Sequence, residues 1–183
     1  MPAGNIEIRA ATATDAAELA AFARTSFRAT YAPTHDPDRM LVHLATVLSD
    51  ESFAAALGTD EFLVAIDGDR IVAFAQLRRA EAPARPEQSN GLPATSEIEL
   101  RRFYVDHSLH GRGLAQRMFD AVVARAGAMN GQLLWLGVFP GNARAIAFYK
   151  RQGLVEIGRV TYNFVDLTED DLALALNLHP ESA

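Results

Sequence analysis

The chain contains no cysteine. Disulfides, thiolate metal ligands and a cysteine nucleophile are thereby excluded. It also lacks any apolar run long enough to span a bilayer. Its opening, MPAGNIEIRAATATDAAEL, shows no basic segment followed by an apolar core, so no secretory signal is expected. Basic residues are outnumbered, 17 Lys and Arg against 23 Asp and Glu, for a formal net charge of −6. That balance argues against a nucleic-acid partner, tRNA included, because phosphate binding wants a basic face. Internal repeats and heptads are absent. No His, Asp and Glu spacing completes a metal site, and no Ser-His-Asp arrangement is visible. The expectation is a cytoplasmic protein with no membrane partner and no metal, folded as a single domain over residues 1–183. That length suffices for one real core.

What is present is an alternation of strand and helix patterns. Asn5–Ala11 alternates as a first strand. Asp15 and Glu18 fit a capping box opening a helix to about Ala29. DPDRMLVHLATVLSD predicts a second helix, with Pro37 near its first turn and Asp36 and Asp38 as N-terminal charges. ESFAAAL predicts a short third. EFLVAI and RIVAFAQLRR form a hairpin through Asp67-Gly68-Asp69. Ala80–Ser96 is a long loop rich in Pro, Ser and Asn. Glu97–Val105 is a central strand, followed by a helix over Gly113–Met129, the strand QLLWLGV and a helix over Asn142–Gln152. GLVEIGRVTYNFVDL and DLALALNL supply the last strands. The order implies an α/β fold with a mixed sheet.

Two clusters carry chemistry. HGRGLA (His110–Ala115) sits between a strand and a helix. The first amides of a helix have no intrahelical acceptor and lie at the positive end of the macrodipole. Glycine lets the backbone take unusual torsions and lets a diphosphate come close, and Arg112 adds charge. The alternative is a tight turn that needs glycine for geometry alone. A dinucleotide fingerprint fits worse: Gln116 stands where a third glycine belongs, and the next strand ends without an acid. The second cluster is GVFPGNARAIAFYKRQGL. Asn142 is a good N-cap, and Asn142, Ile146 and Tyr149 share one helix face. That face points at something polar, or else presents a half-buried Tyr to water.

Together and in this order, the two clusters resemble the GNAT acyl-CoA-dependent N-acetyltransferases. ELRRFYV leading into HGRGLA matches that family's Q/R-x-x-G-x-G/A segment, except that His110 replaces Gln or Arg. NARAIAFYKRQGL is similar to the family's second motif. The resemblance is tight over Glu97–Leu154. SFRATY, WLGVFPGNARAIAFYKRQG and DLALALNL are similar to the bacterial spermine/spermidine-type enzymes.

The resemblance implies a GNAT fold. That fold is a mixed, twisted sheet of about seven strands with helices on both faces and a splay between the fourth and fifth strands. It implies acetyl-CoA as cosubstrate, with its pyrophosphate on the amides of Gly111, Arg112, Gly113, Leu114, Ala115 and Gln116, and with Arg117 nearby. The pantetheine arm would pair with backbone along Phe103, Tyr104 and Val105. Asn142 would bond the cofactor, and Tyr149 would protonate the departing thiolate. Glu99 would act as general base through water, with Glu97 drawing the cation; alternatively both are strand-end carboxylates paired with Arg101. Tyr31 would wall the amine site or simply end its helix. Trp135 is core, and the five histidines are structural or solvated. The implied reaction acetylates a primary amine of a small molecule, a polyamine among the options, in a ternary complex; a homodimer is compatible. A peptide N-terminus, a protein lysine, an antibiotic amine, or a CoA-binding module without catalysis stay open.

Overall fold

The alternating N-terminal stretch forms β1 (Glu7–Ala10), antiparallel to β2 (Glu61–Asp67), with Ile8 opposite Ala65. The structure is a computed structural model that describes residues 6–84 and 96–178. The entry to α1 (Ala16–Tyr31) differs from the expected box of Asp15 with Glu18. The box lies one turn earlier, at a 3-10 turn over Ala13–Asp15. There the Asp15 carboxylate accepts from Thr12 N at 2.7 Å and from Thr12 Oγ1 at 3.0 Å. Arg9 donates two further bonds to it, and these hold the Asp15 carboxyl well below the usual carboxylate range. Glu18 instead accepts Ile71 N at 2.6 Å, which ties α1 to the start of β3 (Arg70–Arg79).

α2 (Pro37–Thr46) opens on Asp36, whose Oδ1 accepts Asp38 N and Arg39 N. The helix stops four residues short of the expected stretch, because Ser49 caps a separate α3 (Asp50–Leu57) by accepting Ser52 N at 3.1 Å. β4 (Glu97–Val105), α4 (Leu114–Ala128), β5 (Leu133–Val138) and α5 (Ala143–Arg151) follow. The chain ends in β6 (Val155–Phe164) and β7 (Leu167–Asn177). Here the expected strand boundary fails. The reversal falls at Val165, a β-branched residue held at φ 60°, where no Gly or Asn marks a turn.

The seven strands are hydrogen-bonded in the order β1-β2-β3-β4-β5-β7-β6. β4 and β5 run parallel, with Glu97, Ile98 and Glu99 opposite Leu133, Leu134 and Trp135. β4 continues beyond that register to Val105. This is a mixed sheet with flanking helices, the architecture that the resemblance implies.

The chain divides into two compact units, Met1–Gln76 with Arg102–Val122, and Leu77–Arg101 with Val123–Ala183. Phe74 centres the first. Its ring lies 5.8 Å from Phe53, 6.1 Å from Phe22 and 5.4 Å from Tyr104. Leu19, Ala20 and Ala23 of α1 are buried there too. Burying one large apolar side chain is worth about 1.5–3 kcal/mol, so this aromatic group outweighs any single helix cap. In the second unit β7 lies antiparallel to both β5 and β6. Trp135 is core as expected, in a cluster with Ala82, Leu133 and Ala175. Its Nε1 donates to Ala80 O at 2.8 Å. Among the described residues no single helix is long and apolar enough to cross a membrane.

Candidate active site

In the first unit, β4 delivers Phe103, Tyr104 and Val105 to the start of the glycine turn. Alternation sets Phe103 and Val105 on one face and Tyr104 on the other. The Phe103 ring meets Phe119 of α4 edge-on at 6.2 Å, and Tyr104 lies on Phe74. Asp106 N donates to Val72 O at 2.8 Å, fixing where β4 ends. The Asp106 carboxylate then receives Ser108 Oγ and N, which lower its pKa. His110, the departure from the family pattern, turns back on the strand: its Nε2 donates to Val105 O at 3.1 Å.

Gly111 and Gly113 both adopt left-handed torsions, φ 75° and 81°. A Cβ at either position would meet nothing within 4 Å among the described residues. These glycines are therefore required by torsion, and the space beside them is open. Arg117 N, donating to Gly113 O at 3.1 Å, makes the first bond of the α4 ladder. The amides of Leu114 and Ala115 precede it, at the helix start where the ladder supplies no acceptor. Leu114 is buried beneath the turn, and Gln116 is exposed with its Nε2 on Asp120. Arg112 is exposed, and its side chain makes no hydrogen bond or ion pair among the described residues. Arg117, expected beside the turn's ligand, instead donates to Ile6 O at 2.7 Å.

In the second unit, Asn142 caps α5, its Oδ1 accepting Ala145 N at 3.1 Å. Tyr149, two turns on, is buried, with Phe148 at 5.4 Å between ring centroids. Glu99 is 9% exposed. Arg78 Nε reaches its Oε2 at 2.5 Å, and Arg101 Nη1 stands 3.9 Å from its Oε1. Glu97 is not at a solvated strand end and does not pair with Arg101 among the described contacts. It is fully buried, and its Oε2 accepts Ala82 N at 2.5 Å. Parallel pairing with β5 encloses this end of β4, which alternation within one strand cannot reveal. Arg78 is the residue that sequence reasoning missed. Its signal would have been the β3–β4 register, and a single sequence does not carry it.

Tyr31 is the last residue of α1 and half-buried, its ring 4.5 Å from Phe27 and 5.3 Å from His35. Among the other histidines, His43 is buried, and His107 and His110 have ring centroids 4.7 Å apart. No group of three or more His, Asp or Glu able to hold a metal occurs among the described residues. His179 and most of the Ala80–Ser96 loop lie outside the described residues.

A parallel β4–β5 pair inside a mixed sheet, with a glycine turn between β4 and α4, defines an N-acetyltransferase type of fold. The Acetyltransferase (GNAT) family profile matches residues 18–154. A Mycobacterium bovis protein named as an uncharacterized N-acetyltransferase is 30% identical over 168 residues, 90% of this chain and 99% of its own. The crystal structure of the PaiA N-acetyltransferase of Thermoplasma acidophilum in complex with coenzyme A superposes with TM-score 0.73. Its identity is 17%, and the match covers 94% of this chain and 99% of that one. The Salmonella typhimurium protein yncA, solved with its cofactor acetyl-CoA, gives TM-score 0.62 at 16% identity over 98% of each chain. This chain belongs to the acetyltransferase (GNAT) family, and its enzyme class is N-acetyltransferase.

Proposed function

We propose that the chain transfers the acetyl group of acetyl-CoA to the primary amine of a small molecule, by direct attack in a ternary complex. The observation that carries this is the left-handed pair Gly111 and Gly113 at the start of α4, with open space beside both. Backbone N–H groups at a helix start, unshielded by side chains, suit a diphosphate. Of the amides from Gly111 to Gln116, that of Arg112 is already turned to Leu109 O at 3.3 Å; the others would hold the pyrophosphate of CoA, with the Arg112 guanidinium adding charge. The strand backbone at Phe103, Tyr104 and Val105 would carry the pantetheine arm. Asn142, whose Oδ1 caps its own helix, would offer its amide N–H groups to the cofactor. Relatives solved with coenzyme A or acetyl-CoA support the choice of cosubstrate.

In the reaction the amine nitrogen bonds to the thioester carbonyl carbon, and the C–S bond breaks. Tyr149 gives its phenolic proton to the departing thiolate. The amine must lose its own protons. An alkylammonium has a pKa of roughly 10.4, so deprotonation at neutral pH costs about 4–5 kcal/mol. Glu99 takes that proton through water, with Glu97 adding negative charge behind it and Tyr31 walling the amine. Holding both substrates supplies an effective molarity on the order of 10⁵ M, which can exceed the contribution of the base. Polyamines are among the acceptors that the motif flanks suggest. The setting is cytoplasmic, the chain acts as one domain, and a homodimer fits. Thiol release from acetyl-CoA across polyamines, amino acids, peptides and aminoglycosides tests the reading. Calorimetric CoA binding without thiol release from any amine would replace it with a non-catalytic binding module.

A further inference from the structure

Arg78 and Arg101 bracket Glu99 on one face of the second unit's strands. The arrangement is asymmetric. The Glu99 side chain is 11% exposed, whereas those of Arg78 and Arg101 are 39% and 34% exposed. Among the described residues Arg78 bonds through Nε alone, and Arg101 lies within ion-pair but not hydrogen-bond distance. A guanidinium has five N–H donors in a planar fork. Both arginines therefore keep donors directed at neither Glu99 nor another described group. Glu97, the next carboxylate on this face, is fully buried on the Ala82 amide. Where the ion pair opens to solvent, two positive charges meet one negative charge.

A clamp between β3 and β4 accounts for the Arg78 Nε bond to Glu99, but not for Arg101 beside the same carboxylate or for the guanidinium donors that both arginines keep. We infer that the acceptor carries a carboxylate beside its reactive amine, and that Arg78 and Arg101 hold that carboxylate. The inference rests on the acetyl-transfer reading, with Glu99 at the amine. Forked, charge-assisted bonds from arginine to carboxylate are strong and directional. The same two cations disfavour a substrate whose charges are all positive, so this inference narrows the small-molecule acceptors of the transfer reading and takes out the polyamines that the motif flanks suggest. The acceptor class is thus an amino acid or ω-amino acid.

The test uses the full chain, acetyl-CoA and thiol release with matched pairs: lysine against cadaverine, and γ-aminobutyrate against propylamine. Each pair differs only by the carboxylate. The carboxylated member should have kcat/KM higher by about tenfold or more, as a charge-assisted pair provides. Arg101→Gln should shrink that ratio mainly through KM, and Arg101→Lys should restore part of it. Equal or faster turnover of cadaverine and propylamine by the unmodified chain, or an unchanged ratio in Arg101→Gln, overturns the carboxylate inference alone. No thiol release with any of the four amines overturns this inference, and none across the wider panel of polyamines, amino acids, peptides and aminoglycosides overturns the transfer reading with it.

Discussion

Tyr149 is a buried phenol whose ring packs beside Phe148. Tyr149→Phe keeps the ring and removes the proton that the leaving thiolate would take. Turnover should fall by about 10²–10⁴-fold, the span of general acid catalysis, with calorimetric CoA affinity unchanged. Unaltered turnover removes the role. His43 makes a second expectation at this scale, one of stability. Its ring stacks on Phe27 at 4.6 Å. Burial first, and the Arg102 charge second, push its pKa down to about 4. The folded chain therefore holds His43 neutral, while the unfolded chain takes up a proton near pH 6.5. Between those values the unfolded state binds more protons, so stability falls as pH drops from about 6.5 to about 4 and levels off below. The loss should reach up to about 3 kcal/mol in urea melts, and His43→Leu should flatten that slope. Asp15, with its depressed pKa, loses its stabilising pairs only at lower pH, which separates the two contributions. Asn142 as a cap and Trp135 as core were legible residue by residue, because each depends on near neighbours or on simple apolarity.

The glycine turn is the element with the clearest consequence. Gly113→Ala meets no clash, so its cost is torsional, roughly 1–2 kcal/mol for a left-handed L-residue. The melting temperature should drop modestly, and acetyl-CoA affinity in calorimetry should weaken, because the amides of the first α4 turn shift with it. Lost stability with intact affinity would mean that the turn serves chain geometry alone. Helices and most strands were readable from period and caps. The β6–β7 reversal was not, since Val165 in a left-handed conformation follows no turn rule and is imposed by the register of the two strands. The cap of α1 was misplaced for a related reason. Asp15 is drawn to Thr12 and Arg9, leaving Glu18 to reach Ile71, far away in sequence.

For the whole molecule, the absence of cysteine fits direct transfer. Initial velocities varied in both substrates should give intersecting lines. The intact mass of the chain should not change when it is incubated with acetyl-CoA alone, and an acetylated chain competent to pass its acetyl group to amine would overturn the ternary complex. By itself the sequence determined the order of elements, the place of Trp135 in the core, and the glycine turn that marks the family. All three are written in local period and local torsion. The tertiary structure alone decided which charged groups meet. Arg78 lies on Glu99, Glu97 is enclosed on Ala82, and Arg117 is drawn to Ile6. Those pairings depend on strand register and long-range packing, and a register shift of one residue would turn Arg78, Glu97 or Glu99 to the opposite face of the sheet.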